Sequence, residues 1–271
     1  MPTLTAAACA ALMEPLTDVA IAAALEILQA GTGGARTKAD GSPVTPADEA
    51  AEVLIRKELR RLTPTLPIIS EEQAAQEMPK TPARGSYFLV DPLDGTKDFI
   101  AGREEYTVNI ALMTDNAPVL GVIAAPAFSV LWRGIVGRGA QRIEVSADAR
   151  TVARQTIHTR SPASDNLTIL VSRSHLEART KAYVDQLPVG KLEPCGSSIK
   201  FCRLAEGAAD LYPRLAPTHD WDIAAGHAIL AAAGGKVVAP SGAPLVYGSN
   251  DLIIPAFVAW SDPARAGPIK G

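Results

Sequence analysis

The chain has 271 residues, of which 47% are hydrophobic and 20% charged, with a formal net charge of -3. That length buries a full core and fits one large or two medium domains. Its mild acidity excludes a nucleic-acid polymer as the main partner, because phosphate-backbone binders carry a clustered basic excess.

A small anionic ligand needs only a local group of cations and stays open. Cys9, Cys195 and Cys202 are odd in number and form no C-x-x-C pair. A disulfide framework and a zinc knuckle are therefore not indicated, and a reducing cytoplasm is the simplest setting.

The N-terminal stretch 6–13 is apolar but lacks a basic region before it, and Glu14, Pro15 and Asp18 follow at once. It reads as helix and not as a signal peptide. No run approaches the ~20 apolar residues of a transmembrane segment, although the sequence leaves open a peripheral attachment to the cytoplasmic face of the inner membrane. Apolar residues at Leu16, Val19, Ala20, Ala23, Ile27 and Leu28 predict a helix over 16–28. A second helix starts at Thr45: a good N-cap, Pro46 at the first helical position and Asp48 at the third, where a carboxylate favours the helix dipole.

After Pro64 and Pro67 the period changes. A short strand at 68–69 delivers Ser70, Glu71 and Glu72, and strands follow at 87–90, 106–112, 119–124 and 130–136. Their turns are too short for intervening helices, so an antiparallel meander packed on the two helices is expected. The second half alternates: strand 167–172, helix 175–187, helix 199–206, strand 210–212, helix 222–233 and strand 236–238. The polar stretch 146–155 separates an N-terminal α+β domain, 1–150, from a C-terminal α/β domain, 151–271.

The most informative segment is Asp91-Pro92-Leu93-Asp94-Gly95-Thr96-Lys97, directly after the apolar run 87–90. Two charged side chains cannot both enter the core without partners. Pro92 lacks an N–H and fixes φ near -65°, which ends the strand and turns the chain so that the two carboxylates converge. With the Leu93 carbonyl they form an all-oxygen set of the kind Mg²⁺ prefers, while Gly95 and Thr96 offer N–H groups to a phosphate. The same segment taken alone also fits a polar turn with capping aspartates. Glu71 after the strand at 68–69, and Asp222 in Trp221-Asp222-Ile223-Ala224-Ala225-Gly226 at the head of an Ala-rich helix, favour the metal reading, although Asp222 alone is most simply an N-cap. The D-x-D-G-T motif of phosphoaspartyl phosphatases needs acids two residues apart. Asp91 and Asp94 are three apart, which removes a covalent aspartyl mechanism.

Glu71, the 91–96 segment and the 221–226 segment, in this order and spacing over about residues 38–238, resemble the inositol monophosphatase superfamily of metal-dependent, lithium-sensitive phosphatases. The resemblance implies a layered αβαβα sandwich of the inositol monophosphatase and fructose-1,6-bisphosphatase type, with the site between the two halves. It implies two or three Mg²⁺ per site: one on Glu71, Asp91 and the Leu93 carbonyl, another on Asp91, Asp94 and Asp222. Water oriented by Glu71 and Thr96 would attack phosphorus, with Asp48 bonded to Thr96.

Lys97, Ser172-Arg173-Ser174-His175, Gly196-Ser197-Ser198-Ile199-Lys200 and Leu211-Tyr212-Pro213-Arg214 are similar to the 3'(2'),5'-bisphosphate nucleotidase branch. Arg214 stands where the inositol enzymes carry an acid that binds sugar hydroxyls. A cation there suits a second phosphate, with Arg173, His175 and Lys200 as further charge and Ser197 as a hydrogen-bond partner; Glu71, Leu93, Asp94, Gly95, Thr96, Lys97 and Asp222 complete the substrate contacts. His219 and His227 read as structural.

The expected activity is hydrolysis of the 3'-phosphate of adenosine 3',5'-bisphosphate to AMP and phosphate, which recycles a by-product of sulfate assimilation. The expected partner is that small nucleoside bisphosphate, in a monomer or homodimer. An inositol or fructose-bisphosphate phosphatase shares the metal machinery, and a regulatory module binding metal and nucleotide without turnover is the non-enzymatic alternative.

Overall fold

The computed structural model describes residues 3–269 apart from 40, 78, 80, 83, 147, 149, 161–165 and 174–175. After a short helix at Ala6–Ala11, helices α1 (Met13–Ala30) and α2 (Pro46–Leu62) follow, joined by a short hairpin of Arg36–Thr37 with Pro43–Val44. The start of α2 follows the sequence logic. Thr45 caps it, Pro46 stands in its first turn, and Asp48 reaches back to accept the Thr45 N–H at 2.8 Å.

Among the described residues, seven strands then form one sheet in chain order: β1 (Ile68–Ser70), β2 (Ser86–Asp94), β3 (Thr107–Thr114), β4 (Ala117–Ala125), β5 (Val130–Ile135), β6 (Gly139–Val145) and β7 (Thr151–Ile157). β1 pairs parallel with β2 and every later pair is antiparallel, the expected meander. The stretch read as an inter-domain boundary contains β7, which extends this sheet. Its side chains are exposed up to Thr156. An edge strand with no buried face lacks the apolar alternation that marks the others.

The second half adds β8 (Leu167–Ser172), α3 (Ala178–Val184), β9 (Val189–Cys195), α4 (Ile199–Ala205), β10 (Leu211–Arg214), α5 (Asp220–Ala232), β11 (Lys236–Val238) and β12 (Phe257–Trp260). Five of these strands make a mixed sheet in the order β9-β8-β10-β12-β11. β9 is another exposed edge that the sequence pattern does not reveal.

Alternation along the first sheet divides its faces. Phe88, Val90, Ile110, Leu112, Leu120 and Val122 pack on α1 and α2. Tyr87, Leu89, Ala111, Met113 and Ile123 face a second core shared with α4, α5 and the inner face of the second sheet. The outer face of that sheet covers Tyr183 and Val184 of α3. The layers therefore run αβαβα, as expected. Close approach of the middle layers depends on glycines. A Cβ on Gly121 of β4 would strike the Ala225 backbone of α5, and one on Gly226 would strike the Phe201 ring.

Residues Ala6–Ala30 are long and apolar enough to cross a membrane by length and composition, which the sequence reading had not allowed. Their stripe of Leu16, Ala20, Ala23 and Ile27 is fully buried against the sheet. That apolar face belongs to the protein's own core and supplies no surface for membrane attachment.

Candidate active site

Pro92 does not end its strand. β2 continues to Asp94, and its pairing with β3 shifts between Asp91 and Asp94. Proline is tolerated in a sheet where pairing is interrupted, because no ladder N–H is then missing. The irregularity places one extra residue on β2, with Pro92 and Leu93 opposite Val108, and re-aims their side chains. Asp91 is 1% exposed, and its Oδ1 accepts the Leu93 N–H at 3.0 Å. Asp94 Oδ2 accepts the Ser198 N–H at 2.6 Å.

Gly95 then turns the chain with φ +92°, and a Cβ there would lie 2.9 Å from the Glu105 carbonyl oxygen. A short helical turn, Thr96–Ile100, follows. The Thr96 hydroxyl lies 3.0 Å from Asp48 Oδ1 and 3.1 Å from the Leu93 carbonyl oxygen. It has one proton, and a carboxylate is the stronger acceptor.

Glu71 begins a helical turn, Glu71–Ala74, at the end of β1. Asp222 is not the N-cap of α5. His219 occupies that position, and Asp222 is the third helical residue, closing a capping box by accepting the His219 N–H at 3.1 Å. Its Oδ2 also accepts the Thr218 hydroxyl at 2.5 Å. Asp222 Oδ1 accepts no hydrogen bond among the described residues, and Asp222 lines the pocket.

Glu71, Asp91, Leu93, Asp94, Gly95, Thr96, Lys97 and Asp222 line one cavity of about 470 Å³ together with Arg173, Ser197, Lys200 and Arg214. Asp48 stands behind Thr96, and His175 lies outside the described residues.

Charge on the acidic side is poorly compensated. Burial, and then the carboxylates of Glu71, Asp94 and Asp222, push the Asp91 carboxyl well above the usual range. Burial and Asp222 raise Asp94 to about 7. Burial also raises Glu71, against the pull of Lys38, whose ammonium donates to Glu71 at 2.8 Å and to Glu72 at 2.6 Å. Sequence reasoning missed Lys38, because only the hairpin fold brings it to an acid 33 residues away.

Among the described residues no group of three or more His, Cys, Asp or Glu side chains stands close enough together to hold a metal ion by itself. The donors fit an open site instead: carboxylates and a backbone carbonyl, all hard oxygens, crowded so that they repel one another. Such a set suits a divalent ion that keeps several waters, and Lys38 supplies positive charge at its edge.

The cations that line the same cavity are held differently. Lys200 is 3% exposed, donates to the carbonyl oxygens of Cys195 at 3.0 Å and Ser197 at 2.6 Å, and lies over the Tyr212 ring. Arg173 pairs with Glu105. Arg214 Nη2 donates to the Pro217 carbonyl at 3.2 Å, while its buried Nε makes no hydrogen bond among the described residues.

This fold and this acidic pocket are those of a phosphatase family, and the chain belongs to it: the sequence model of the inositol monophosphatase family matches residues 9–266. A relative named 3'(2'),5'-bisphosphate nucleotidase CysQ, from Escherichia coli strain K12, is 45% identical over 223 residues, covering 82% of this chain and 86% of that protein. Its namesake from Buchnera aphidicola is 41% identical over 217 residues, covering 80% and 78%. Among solved structures, CysQ from Bacteroides thetaiotaomicron superposes with a TM-score of 0.73 at 36% identity, covering 91% of this chain and 96% of that one. An inositol monophosphatase from Anabaena gives 0.74 at 24% identity, covering 94% and 92%, a likeness of fold alone.

Proposed function

We propose that this chain is a 3'(2'),5'-bisphosphate nucleotidase that removes the 3'-phosphate of adenosine 3',5'-bisphosphate, leaving AMP, with Mg²⁺ as cofactor. The observation that carries the reading is one cavity lined by the crowded carboxylates of Asp91, Asp94 and Asp222 and also by Arg214, which feels Asp222 and Asp94 but forms no ion pair among the described residues. A substrate with two phosphates answers both sets of groups. Relatives above 40% identity that bear the nucleotidase name support it over an inositol or fructose-bisphosphate phosphatase.

Glu71, Asp91 and the Leu93 carbonyl would hold one ion, and Asp91, Asp94 and Asp222 a second. Bound there, Mg²⁺ supplies charge neutralisation on the phosphate and a more acidic water. Thr96 gives its hydroxyl proton to Asp48, which leaves an oxygen lone pair to orient the attacking water. Burial raises Asp48, and its bonds to Thr45 and Thr96 favour the ionised form this role requires. The Gly95 and Thr96 N–H groups face the phosphate oxygens. Arg214 and the exposed Lys97 attract the distal phosphate. Free thiols at Cys9, Cys195 and Cys202 agree with a cytoplasmic setting.

The test is phosphate release with Mg²⁺ from adenosine 3',5'-bisphosphate and from inositol 1-phosphate, each with and without lithium. Preference for the bisphosphate and inhibition by lithium are expected. Equal or reversed preference refutes the assignment.

A further inference from the structure

The rim of the pocket contains a group of contacts that the reaction above does not use. Glu105 lies just before β3 in the first sheet, and Arg173 follows the end of β8 in the second. Arg173 Nε and Nη2 each donate to the Glu105 carboxylate at 2.8 Å, a two-pronged pair that joins the two sheets. Nη2 gives its other proton to the Pro194 carbonyl at 3.0 Å. Glu105 Oε2 also accepts the Gly196 N–H at 2.8 Å.

Residues 196–198 are fitted closely against this pair. A Cβ on Gly196 would lie 2.8 Å from Glu105 Cβ and 3.0 Å from Asp98 Oδ2. Two residues later, Ser198 gives its N–H to Asp94 and its hydroxyl bonds to Asn109 Oδ1 at 2.6 Å. Glu105 is thus one short loop away from Asp94. Three of the five N–H donors of Arg173 are committed, and its charge is cancelled by the carboxylate it grips. A neutralised guanidinium attracts a distant phosphate weakly.

We propose that Glu105 is a positioning residue: it uses Arg173 as a strut to hold residues 196–198 against Asp94, and Arg173 contributes to the site through this strut and not as a phosphate contact. The proposal reassigns one of the cations the sequence placed on the substrate, and it relies on the nucleotidase reading only for the choice of substrates in its test.

The experiment is a double-mutant cycle of Glu105→Ala and Arg173→Ala. Each variant is measured on adenosine 3',5'-bisphosphate and on adenosine 3'-monophosphate, with amide hydrogen exchange at residues 195–198 as a readout free of turnover. A strut predicts that each single change lowers kcat/KM by roughly tenfold or more, equally for both substrates. It predicts that the double variant is no worse than the weaker single and that exchange at 195–198 quickens in both singles. Glu105→Gln, which keeps an acceptor for the Gly196 N–H, recovers part of the loss. Should an alanine variant fail to fold, Glu105→Gln and Arg173→Lys carry the same cycle. A loss in the Arg173 variant confined to the bisphosphate overturns the proposal, as do multiplying effects or unchanged exchange. If the wild type hydrolyses neither substrate, the nucleotidase reading fails, and the exchange data alone decide the role of Glu105.

Discussion

Asp91 and Asp94 share one irregular stretch of β2, and among the described residues each receives a single backbone N–H, whereas Lys200 and Arg173 of the same cavity are tied by carbonyls, a ring and a carboxylate. The contrast separates two uses of charge. Among the acids the fold keeps like charges together, at a cost that Lys38 and protonation relieve in part and an added cation relieves further. Among the cations, Lys200 and Arg173 hold loops in place, and Arg214 with Lys97 remains to meet a ligand. Counting cations in the sequence overstates how many of them bind phosphate.

The contrast is most easily broken on the acidic side. Asp91→Asn should lower Mg²⁺-dependent phosphate release by about a hundredfold or more, while raising the melting temperature of the metal-free protein, because one buried acid is removed from the cluster. Activity near wild type would mean that Asp91 is merely a turn residue. Among the cations, Arg214→Glu should cost tens of fold in kcat/KM on the bisphosphate, about 2 kcal/mol or more of charge-assisted binding, and far less on a monophosphate. An equal loss on both would return Arg214 to a structural role like that of Lys200.

Adding Mg²⁺ to the wild type at about 100 times its Kd should stabilise it by about 2.7 kcal/mol, a rise of roughly 5 to 10 °C by calorimetry. Asp91→Asn should show little of this. The smallest effect is expected at the cap of α2. Thr45→Ala should cost about 1 kcal/mol in denaturant melts. Because the Thr45 hydroxyl also bonds Asp48 at 2.5 Å, kcat should fall with KM unchanged.

The acidic cluster was legible in the sequence because its ligands sit at element ends that announce themselves. Thr45, Pro46 and Asp48 mark a helix start, and Ile68-Ile69 and the 87–90 run mark strands whose ends carry Glu71 and Asp91. Proline misled at Asp91, since its missing N–H is equally compatible with an irregular strand and with a strand end. Asp222 was misread as the cap because both positions satisfy the same orphan N–H groups. Lys38 and Glu105 were out of reach, each meeting its partner across 33 and 68 residues. Strands β7 and β9 escaped because an exposed edge has no buried face to imprint a period.

The most direct measurement of the central claim is a calorimetric titration of the metal-free protein with Mg²⁺, for the wild type and for Asp91→Asn. The account predicts at least two ions per chain in the wild type, taken up with release of protons as the raised carboxyls ionise, and fewer ions in the variant. No binding by the wild type, or the same stoichiometry in both proteins, would contradict it.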